Sequence, residues 1–332
     1  MKYIVFSDLH AHEFTEFAKP DDEYINSRLA NIVNAVKDIF SIARKERRTV
    51  LFAGDLFHAR GSVRSEVFNF IFKVFQENTD IPVIMIRGNH DASNNSLTSP
   101  SSIEPFSVFP NVHLVTQLEH FDYHGDTITA VSYGDEHAEM KEFIKDNPAD
   151  ILLAHLGIEG AKGAGYSKLE GAFTVADMYP ENNKVVLMGH YHRSQKFTDN
   201  MLYVGNPVAQ NFSDAGMPKG AYTFEINNHT LQDLKFIDLG YPMFEAVTVA
   251  NYNNVKEDSY VRLTASKEDV KTMELTTTIP DNVRLDVAYE SVDDTRINIS
   301  TSDSPEEVAR RWSKEFMPDQ ETLIVDMLNK VQ

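Results

Sequence analysis

The chain has 332 residues, 42% hydrophobic and 24% charged, the balance of an ordinary globular protein with enough length to bury a full core. Its apolar runs fall far short of the ~20 residues needed to span a bilayer, and it contains no cysteine, which excludes disulfides and thiolate metal ligands. A formal net charge of −19 weighs against a stand-alone, high-affinity DNA binder, because Lys and Arg neutralising phosphates supply most non-specific affinity.

From the N-terminus, Tyr3 to Phe6 is a short apolar run of the kind that forms a buried strand, and Ser7-Asp8-Leu9-His10 follows it. Asp8 and His10 also interrupt what would be the apolar part of a signal peptide, so a cytoplasmic location is expected. Ile25, Leu29, Ile32, Val36, Ile39 and Phe40 recur at helical spacing, and the basic run Arg44-Lys45-Glu46-Arg47-Arg48 ends that helix, where cations complement the dipole. A second strand, Val50 to Ala53, leads into Gly54-Asp55-Leu56-Phe57-His58. A helix carrying Val67, Phe68, Ile71, Phe72 and Phe75 precedes a third strand, Val83 to Ile86, which leads into Arg87-Gly88-Asn89-His90-Asp91. This is βαβαβ. Residues 91 to 107, rich in Asn, Ser, Thr and Pro, form a loop that leaves directly from His90, where loops often shape a substrate site.

Further on, Ile151 to Ala154 precedes His155, and Val185 to Met188 precedes Gly189-His190-Tyr191-His192. Shorter strands at 111–116, 127–132, 201–204, 221–226 and 233–238, with little helix between them, suggest a second sheet. Gly157, Gly160, Gly163, Gly165 and Gly171 mark either a flexible connection or a lid. No Gly-Lys-Ser/Thr follows them, so they are not a nucleotide-cradling loop, and any ATPase activity must belong to a partner. After Gly240-Tyr241-Pro242, residues 243–302 alternate β-like runs (Phe244 to Val249, Tyr260 to Leu263, Val283 to Ala288, Ile297 to Ile299) with a polar segment at 266–274, which reads as a small α+β appendage. Ser304 to Gln332 reads as two helices separated by Pro318, the first opened by Ser304-Pro305-Glu306-Glu307. Val308, Trp312, Phe316, Leu323, Ile324, Met327, Leu328 and Val331 give the pair an apolar face, which packs either on its own domain or on an external helix.

Five strand-then-ligand segments therefore deliver Asp8 and His10, Asp55, Asn89 with His90, His155, and His190 with His192. Any one of these residues alone is more often a cap or a satisfied polar group, but in open α/β sheets chemistry gathers beyond the carboxyl ends of strands, where all five would lie. Imidazole, carboxylate and an Asn carbonyl without thiolate suit manganese, iron or zinc in five- or six-coordinate sites with room for water, and disfavour a structural zinc. Two carboxylates facing two divalent cations leave the site locally positive, as a phosphodiester requires. Metals ~3.5–4 Å apart can clamp both the attacking and leaving oxygens, with Asp55 the candidate bridge.

The ordered set Asp-x-His, Gly-Asp, Gly-Asn-His-Asp, His and Gly-His-x-His, over about residues 1–240, resembles the calcineurin-like metallophosphoesterase superfamily. That resemblance implies an α/β fold, a four-layer αββα sandwich of two mixed sheets. It implies that Asp8, His10, Asp55 and His192 bind one metal, and Asp55, Asn89, His155 and His190 the other. His90 would contact the scissile phosphate and assist the leaving group, and Asp91 would orient His90. Gly54-Asp55-Leu56-Phe57-His58, in which His58 would also help at the phosphate, and Asn206-Pro207 are similar to the SbcD-type nuclease subunit of SbcCD complexes, including bacteriophage relatives. Two features depart from that pattern: Ala59-Arg60-Gly61-Ser62-Val63 replaces a proline-containing segment, and His12 is an extra imidazole, either a solvated loop residue or a phosphate contact.

This resemblance implies a nuclease domain at 1–240, a capping domain at 241–302 that restricts or presents DNA, and a helical segment at 303–332 that docks an SbcC-type coiled-coil ATPase. The ATPase would provide much of the DNA grip that the acidic chain lacks. The expectation is a manganese-preferring DNA nuclease in which two metals activate water, with a small-molecule or cyclic-nucleotide phosphodiesterase and a non-catalytic scaffold as alternatives. The sequence leaves open exonuclease or endonuclease action, strand preference, physiological metal and homodimerisation.

Overall fold

The structure, a computed structural model, describes residues 1–163, 168–274, 280–287 and 303–329. The expected strand Ile297 to Ile299, together with Gly165 and Val331, lies outside the described residues. The chain opens with strand β1 (Lys2–Phe6), a small hairpin of β2 (Pro20–Asp21) and β3 (Ile25–Asn26), and helix α1 (Ser27–Glu46). Asn26 caps α1 by accepting a hydrogen bond from the Leu29 N–H, one of the donors a helix start leaves unmatched. Strand β4 (Thr49–Phe52), helix α2 (Ser65–Gln76) and strand β5 (Val83–Ile86) complete the βαβαβ unit. Then come β6 (Val112–Val115), β7 (Leu118–Tyr123), β8 (Asp126–Val131), helix α3 (His137–Asp146), β9 (Ile151–His155), β10 (Val185–Gly189), β11 (Gln195–Lys196), β12 (Met201–Tyr203), β13 (Gly220–Asn227) and β14 (Thr230–Asp238).

These strands make two six-stranded mixed sheets, ordered β14-β13-β1-β4-β5-β6 and β11-β12-β10-β9-β8-β7. The expected grouping of the later strands is corrected in part. Strands β6, β13 and β14 join the first sheet: β6 pairs parallel with β5, and β13 returns antiparallel along the free edge of β1, with Tyr3 opposite Phe224 and Val5 opposite Tyr222, and carries β14 with it. The second sheet has a parallel centre of β12, β10, β9 and β8, flanked by antiparallel β11 and β7.

Alternation along each strand sets the layers, since successive side chains point to opposite faces. Tyr3, Val5, Leu51, Ala53, Ile84 and Ile86 of the first sheet meet Ile151, Leu153, Val185 and Leu187 of the second in a core between the sheets. Their neighbours Ile4, Phe6, Val50, Phe52, Val83 and Met85 face outward, under α1 and α2. Leu152, Ala154, Val186 and Met188 face the other way, with Met140 and Ile144 of α3. The result is the four-layer αββα sandwich.

By packing, the chain divides into two units, Met1–Thr264 with Thr278–Asp286, and Ala265–Thr277 with Val287–Gln332. The first includes most of a three-stranded sheet of β15 (Phe244–Thr248), β16 (Tyr260–Ala265) and β17 (Val283–Val287), whose buried Phe244 and Tyr260 pack on Phe17 and Phe212. The second contains α4 (Lys267–Glu274), α5 (Pro305–Phe316) and α6 (Glu321–Asn329). Ser304 and Glu307 form a reciprocal capping box at the start of α5. Trp312 and Phe316 of α5 and Leu323 and Met327 of α6 are exposed.

Leu153 is fully buried between the sheets. Leu153→Ala is therefore expected to cost about 2–5 kcal/mol, read as a lower urea midpoint at unchanged slope.

Candidate metal centre

The site forms at the carboxyl ends of β1, β4 and β5 in one sheet and of β9 and β10 in the other. Asp8 follows β1, Asp55 follows β4, Asn89 follows β5, His155 ends β9, and His190 follows β10. The turns that carry these residues are sharp. Asp8 (φ 51°), His10 (45°), Asp55 (62°) and His190 (108°) all adopt left-handed backbone, a conformation that costs about 1–3 kcal/mol each and persists only where surrounding contacts enforce it. Some of those contacts are visible: the Asp8 N–H donates to the Gly54 carbonyl (2.9 Å) and the His10 N–H to the Asp55 carbonyl (3.0 Å).

All seven side chains expected as ligands come together. His10 Nε2 lies 3.5 Å from Asp55 Oδ2 and 4.0 Å from Asp8 Oδ1, and His155 Nε2 lies 3.4 Å from the same Asp55 oxygen. Asn89 Oδ1 stands 3.0 Å from His155 Nε2 and 2.9 Å from His190 Nδ1. Ligand atoms of Asp8, His10 and His192 form one compact group, and those of Asp8, Asp55 and His155 another. Donor atoms each ~2.1 Å from one cation and at right angles stand about 3 Å apart, so these separations fit a divalent metal. Oxygen and imidazole donors without sulfur fit the same class of ion.

Glycines make the approach geometrically feasible. Gly54 has a φ of 92°, and a Cβ there would lie 2.4 Å from His155 Nδ1; one on Gly88 would lie 2.0 Å from Asp55 Oδ1, and one on Gly189 2.1 Å from the Ala53 carbonyl and 2.8 Å from His155 Nδ1.

The electrostatics divide the histidines. Burial would lower the His155 imidazole, but the carboxylates of Asp55 and Asp8 and the Ala53 carbonyl outweigh it and raise it to about 9. Burial would raise Asp55, and His155, His10 and His90 reverse that, holding it well below the usual carboxylate range. His190, half-buried beside His155, falls to about 3 through desolvation and that neighbouring imidazole, and His58, half-buried beside His12 and His90, falls to about 4. Among the described residues, His10 Nδ1 and His58 Nδ1 are buried nitrogens with no hydrogen-bond partner.

His90 and His58 sit together at the mouth of the site, rings 5.7 Å apart and stacked, with the His90 ring 4.6 Å from that of His10. His12 adjoins them, its ring 5.1 Å from both His58 and Phe14. The expectation that Asp91 orients His90 is corrected. His90 Nδ1 is bonded to the His58 carbonyl (2.6 Å), whereas the Asp91 carboxylate accepts the N–H groups of Asp55 (2.9 Å), Leu56 (2.9 Å), Phe57 (3.2 Å) and Gly88 (3.0 Å). A buried carboxylate next to four backbone donors takes them in preference to a ring already satisfied elsewhere, so Asp91 shapes the loop that carries Asp55. The loop at 91–107 is braced by Arg87, fully buried, which donates to the carbonyls of Ser99 (2.7 Å), Ser96 (3.0 Å) and Tyr133 (2.6 Å).

Sequence reasoning reached one residue behind His192, Asn206, and missed Asp214, Lys219 and Gln210. Asp214, 1% exposed, lies 3.2 Å from His192 Nδ1, and beside it are Lys219, Gln210 and Asn206. Asp214 ends a short 3₁₀ turn, Phe212–Asp214, and no periodic or strand-end signal marks it.

Residues 1–194, more than half of the chain, match the model of the calcineurin-like phosphoesterase family, and the chain belongs to that family. Among curated proteins it is similar to the SbcD component of the nuclease SbcCD from Staphylococcus saprophyticus, 23% identical over 239 residues covering 61% of this chain and 61% of that protein. It is also similar to the SbcD component of the nuclease SbcCD from Staphylococcus epidermidis, 25% identical over 188 residues covering 48% and 50%. The chain thus spans about half to three-fifths of the length of these relatives. Among solved structures, a dimetal phosphatase from Danio rerio aligns with a TM-score of 0.42 at 10% identity, over 68% of this chain and 93% of that one. Among the described residues, no helix is long and apolar enough to cross a membrane.

Because Gly189 has no room for a methyl, Gly189→Ala is expected to lose about 1–3 kcal/mol to overpacking and to displace His155. Thermal melts with and without Mn²⁺ check this. Wild-type melting together with a wild-type metal-induced shift would contradict the placement of His155.

Proposed function

We propose that this phosphoesterase is a metal-dependent DNA nuclease, the catalytic subunit of an SbcCD-like complex acting in DNA repair or recombination. The observation that carries the hydrolytic reading is the convergence of seven oxygen and nitrogen donors from both sheets, with His90 beside them and hydrogen-bonded elsewhere through Nδ1. Asp8, His10, Asp55 and His192 are assigned to one divalent cation and Asp55, Asn89, His155 and His190 to a second, with manganese as the physiological choice and iron or zinc chemically compatible. Such a pair supplies Lewis acidity, lowering the pKa of coordinated water and drawing charge from phosphoryl oxygens.

The chain's own residues do the rest. The His58 carbonyl fixes His90 through Nδ1, leaving Nε2 to protonate the departing sugar oxygen. The Asp55 carboxylate, itself an assigned ligand, accepts the backbone N–H of His90 (2.8 Å), which ties the proton donor to the metal site. His58, neutral at physiological pH, offers a further hydrogen bond to the phosphate. The nuclease assignment draws support from the two relatives named as nuclease subunits.

For the partner, the proposal is an SbcC-type coiled-coil ATPase docking on α5 and α6, whose exposed Trp312, Phe316, Leu323 and Met327 form an apolar surface that an amphipathic helix can cover. Residues 241–302 are proposed as a capping domain, and the complex as cytoplasmic.

Offered linear duplex DNA, single-stranded DNA and a chromogenic phosphodiester with Mn²⁺, the protein is expected to cleave DNA. Cleavage of the chromogenic ester alone would replace this reading with a small-molecule phosphodiesterase. His90→Gln should keep its metals yet lose about 10²–10⁴-fold in turnover, whereas Asp55→Asn should lose metal as well, as metal analysis of the purified variants would report. Trp312 is the sole tryptophan, so adding a tryptophan-free coiled-coil segment of the ATPase should shift its emission to shorter wavelength. An unchanged spectrum would remove the docking site.

A further inference from the structure

We infer that Asp214 is a positioning residue that ties together two ligands of a single metal position, His192 and Asp8, with Lys219 holding it in place. This rests on the metal-binding reading of the site and is independent of whether the substrate is DNA.

Four donors surround the Asp214 carboxylate. His192 Nδ1 (3.2 Å) and Lys219 Nζ (3.1 Å) reach Oδ1, and the Asn206 side-chain amide (3.1 Å) and the Gln210 N–H (2.8 Å) reach Oδ2. The neighbours extend the grip. Lys219 Nζ also donates to the His192 carbonyl (3.4 Å) and to Asn206 Oδ1, and the Gln210 side-chain amide donates to the Asp8 carbonyl (3.1 Å). His192 is thereby held at both its ring and its backbone, and Asp8 at its backbone, by one cluster. Asp214, Lys219 and Gln210 are at most 3% exposed.

Burying a Lys–Asp pair is costly unless the remaining donors and acceptors are satisfied, and replacing one with apolar residues is often neutral or stabilising. Stability alone therefore does not account for it. What the cluster does provide is a defined imidazole: with Nδ1–H donated to Asp214, the His192 lone pair lies on Nε2, and the ring stands near Asp8 and His10, one of its nitrogens within 4.8 Å of their ligand atoms. The second position is anchored differently. His155 is fixed through the Ala53 carbonyl (2.7 Å) and shares no hydrogen bond with the Asp214 cluster, while Asp55, the ligand shared by both positions, is held by the loop that Asp91 braces. Asp214 should therefore govern one metal and not the other.

The test uses the full chain and Mn²⁺ titration by calorimetry with metal analysis. Asp214→Asn keeps the shape but sets an amide N–H against the donors of Gln210, Asn206 or His192. It should weaken one of two Mn²⁺ sites by about 10- to 100-fold and leave the other near wild type. His192→Gln should weaken the same site, and the double variant should lose no more than His192→Gln alone, since groups acting through one another are not additive. Equal weakening of both sites, or additive losses, would overturn the inference.

Should Asp214→Asn fail to fold, the wild type decides. In the zinc-loaded protein, a ¹⁵N–¹H histidine spectrum should show His192, identified by its loss in His192→Gln, carrying its proton on Nδ1, and a proton on Nε2 would overturn the inference. A wild type that takes up neither metal would instead sink the metal-centre reading itself.

Discussion

The structure depends on bringing two sheets close enough at one end for side chains from both to share ligands. Facing sheets pack about 10 Å apart, which leaves little overlap between short polar side chains from opposite sheets. The Ala53 carbonyl accepting from His155 Nδ1 at 2.7 Å bridges that gap directly. It can do so because Gly54, Gly88 and Gly189 leave no methyl groups in the way. The large apolar core between the sheets, from Tyr3 and Val5 through Leu153 and Leu187, supplies the burial that holds the ends in this register. The left-handed backbone at Asp8, His10, Asp55 and His190 is the local cost of aiming polar side chains into the junction.

Once converged, the donors interact strongly with one another. Asp55 is driven down and His155 up because each is the other's nearest opposite charge, while His190, behind His155, is driven down by burial and by that same imidazole. Such a cluster has no single protonation state that satisfies every member. A divalent cation held by these residues would resolve the conflict, since carboxylate and imidazole alike can donate lone pairs to it, and metal binding would then be linked to folding stability.

How legible this was in the sequence follows from the range of each interaction. Asp8, Asp55, Asn89, His155 and His190 could be read because each is announced by its own apolar strand a few residues upstream. The βαβαβ start was equally local. The sheet membership of β13 and β14 was not legible, since it depends on β13 pairing with β1 more than two hundred residues away, and that of β6 depends on its parallel pairing with β5 across the long loop after His90. Helix α3 was missed because it buries only Met140 and Ile144, too few positions to show a period. The role expected for Asp91 failed because an acid next to a histidine in sequence need not be next to it in space. Backbone N–H groups of residues 55–57 compete for it successfully. Asp214 had no local signal, because its meaning lies in Lys219, Gln210 and His192.

The acidic balance of the chain bears on how a nuclease of this kind would hold its substrate. Several guanidiniums are internal struts: buried Arg28 donates to the carbonyls of Glu16 (2.9 Å) and Gln210 (2.7 Å), buried Arg87 to those of the 96–99 loop, and half-buried Arg48 to those of Tyr3 and Phe224 (3.2 Å each). Arg44 at the end of α1 pairs with Asp80, and Arg64 with Glu13 and Glu66. Arginines engaged in this way hold backbone or neighbouring carboxylates, and a chain of net charge −19 has a field that repels a polyanion. The attraction for phosphate in the proposed enzyme then comes from the metal centre and the adjoining His58 and His90, which favours one phosphate over a long track. A substrate as long as DNA needs an additional grip, and that requirement, more than any motif, is what makes a partner subunit part of the proposed function.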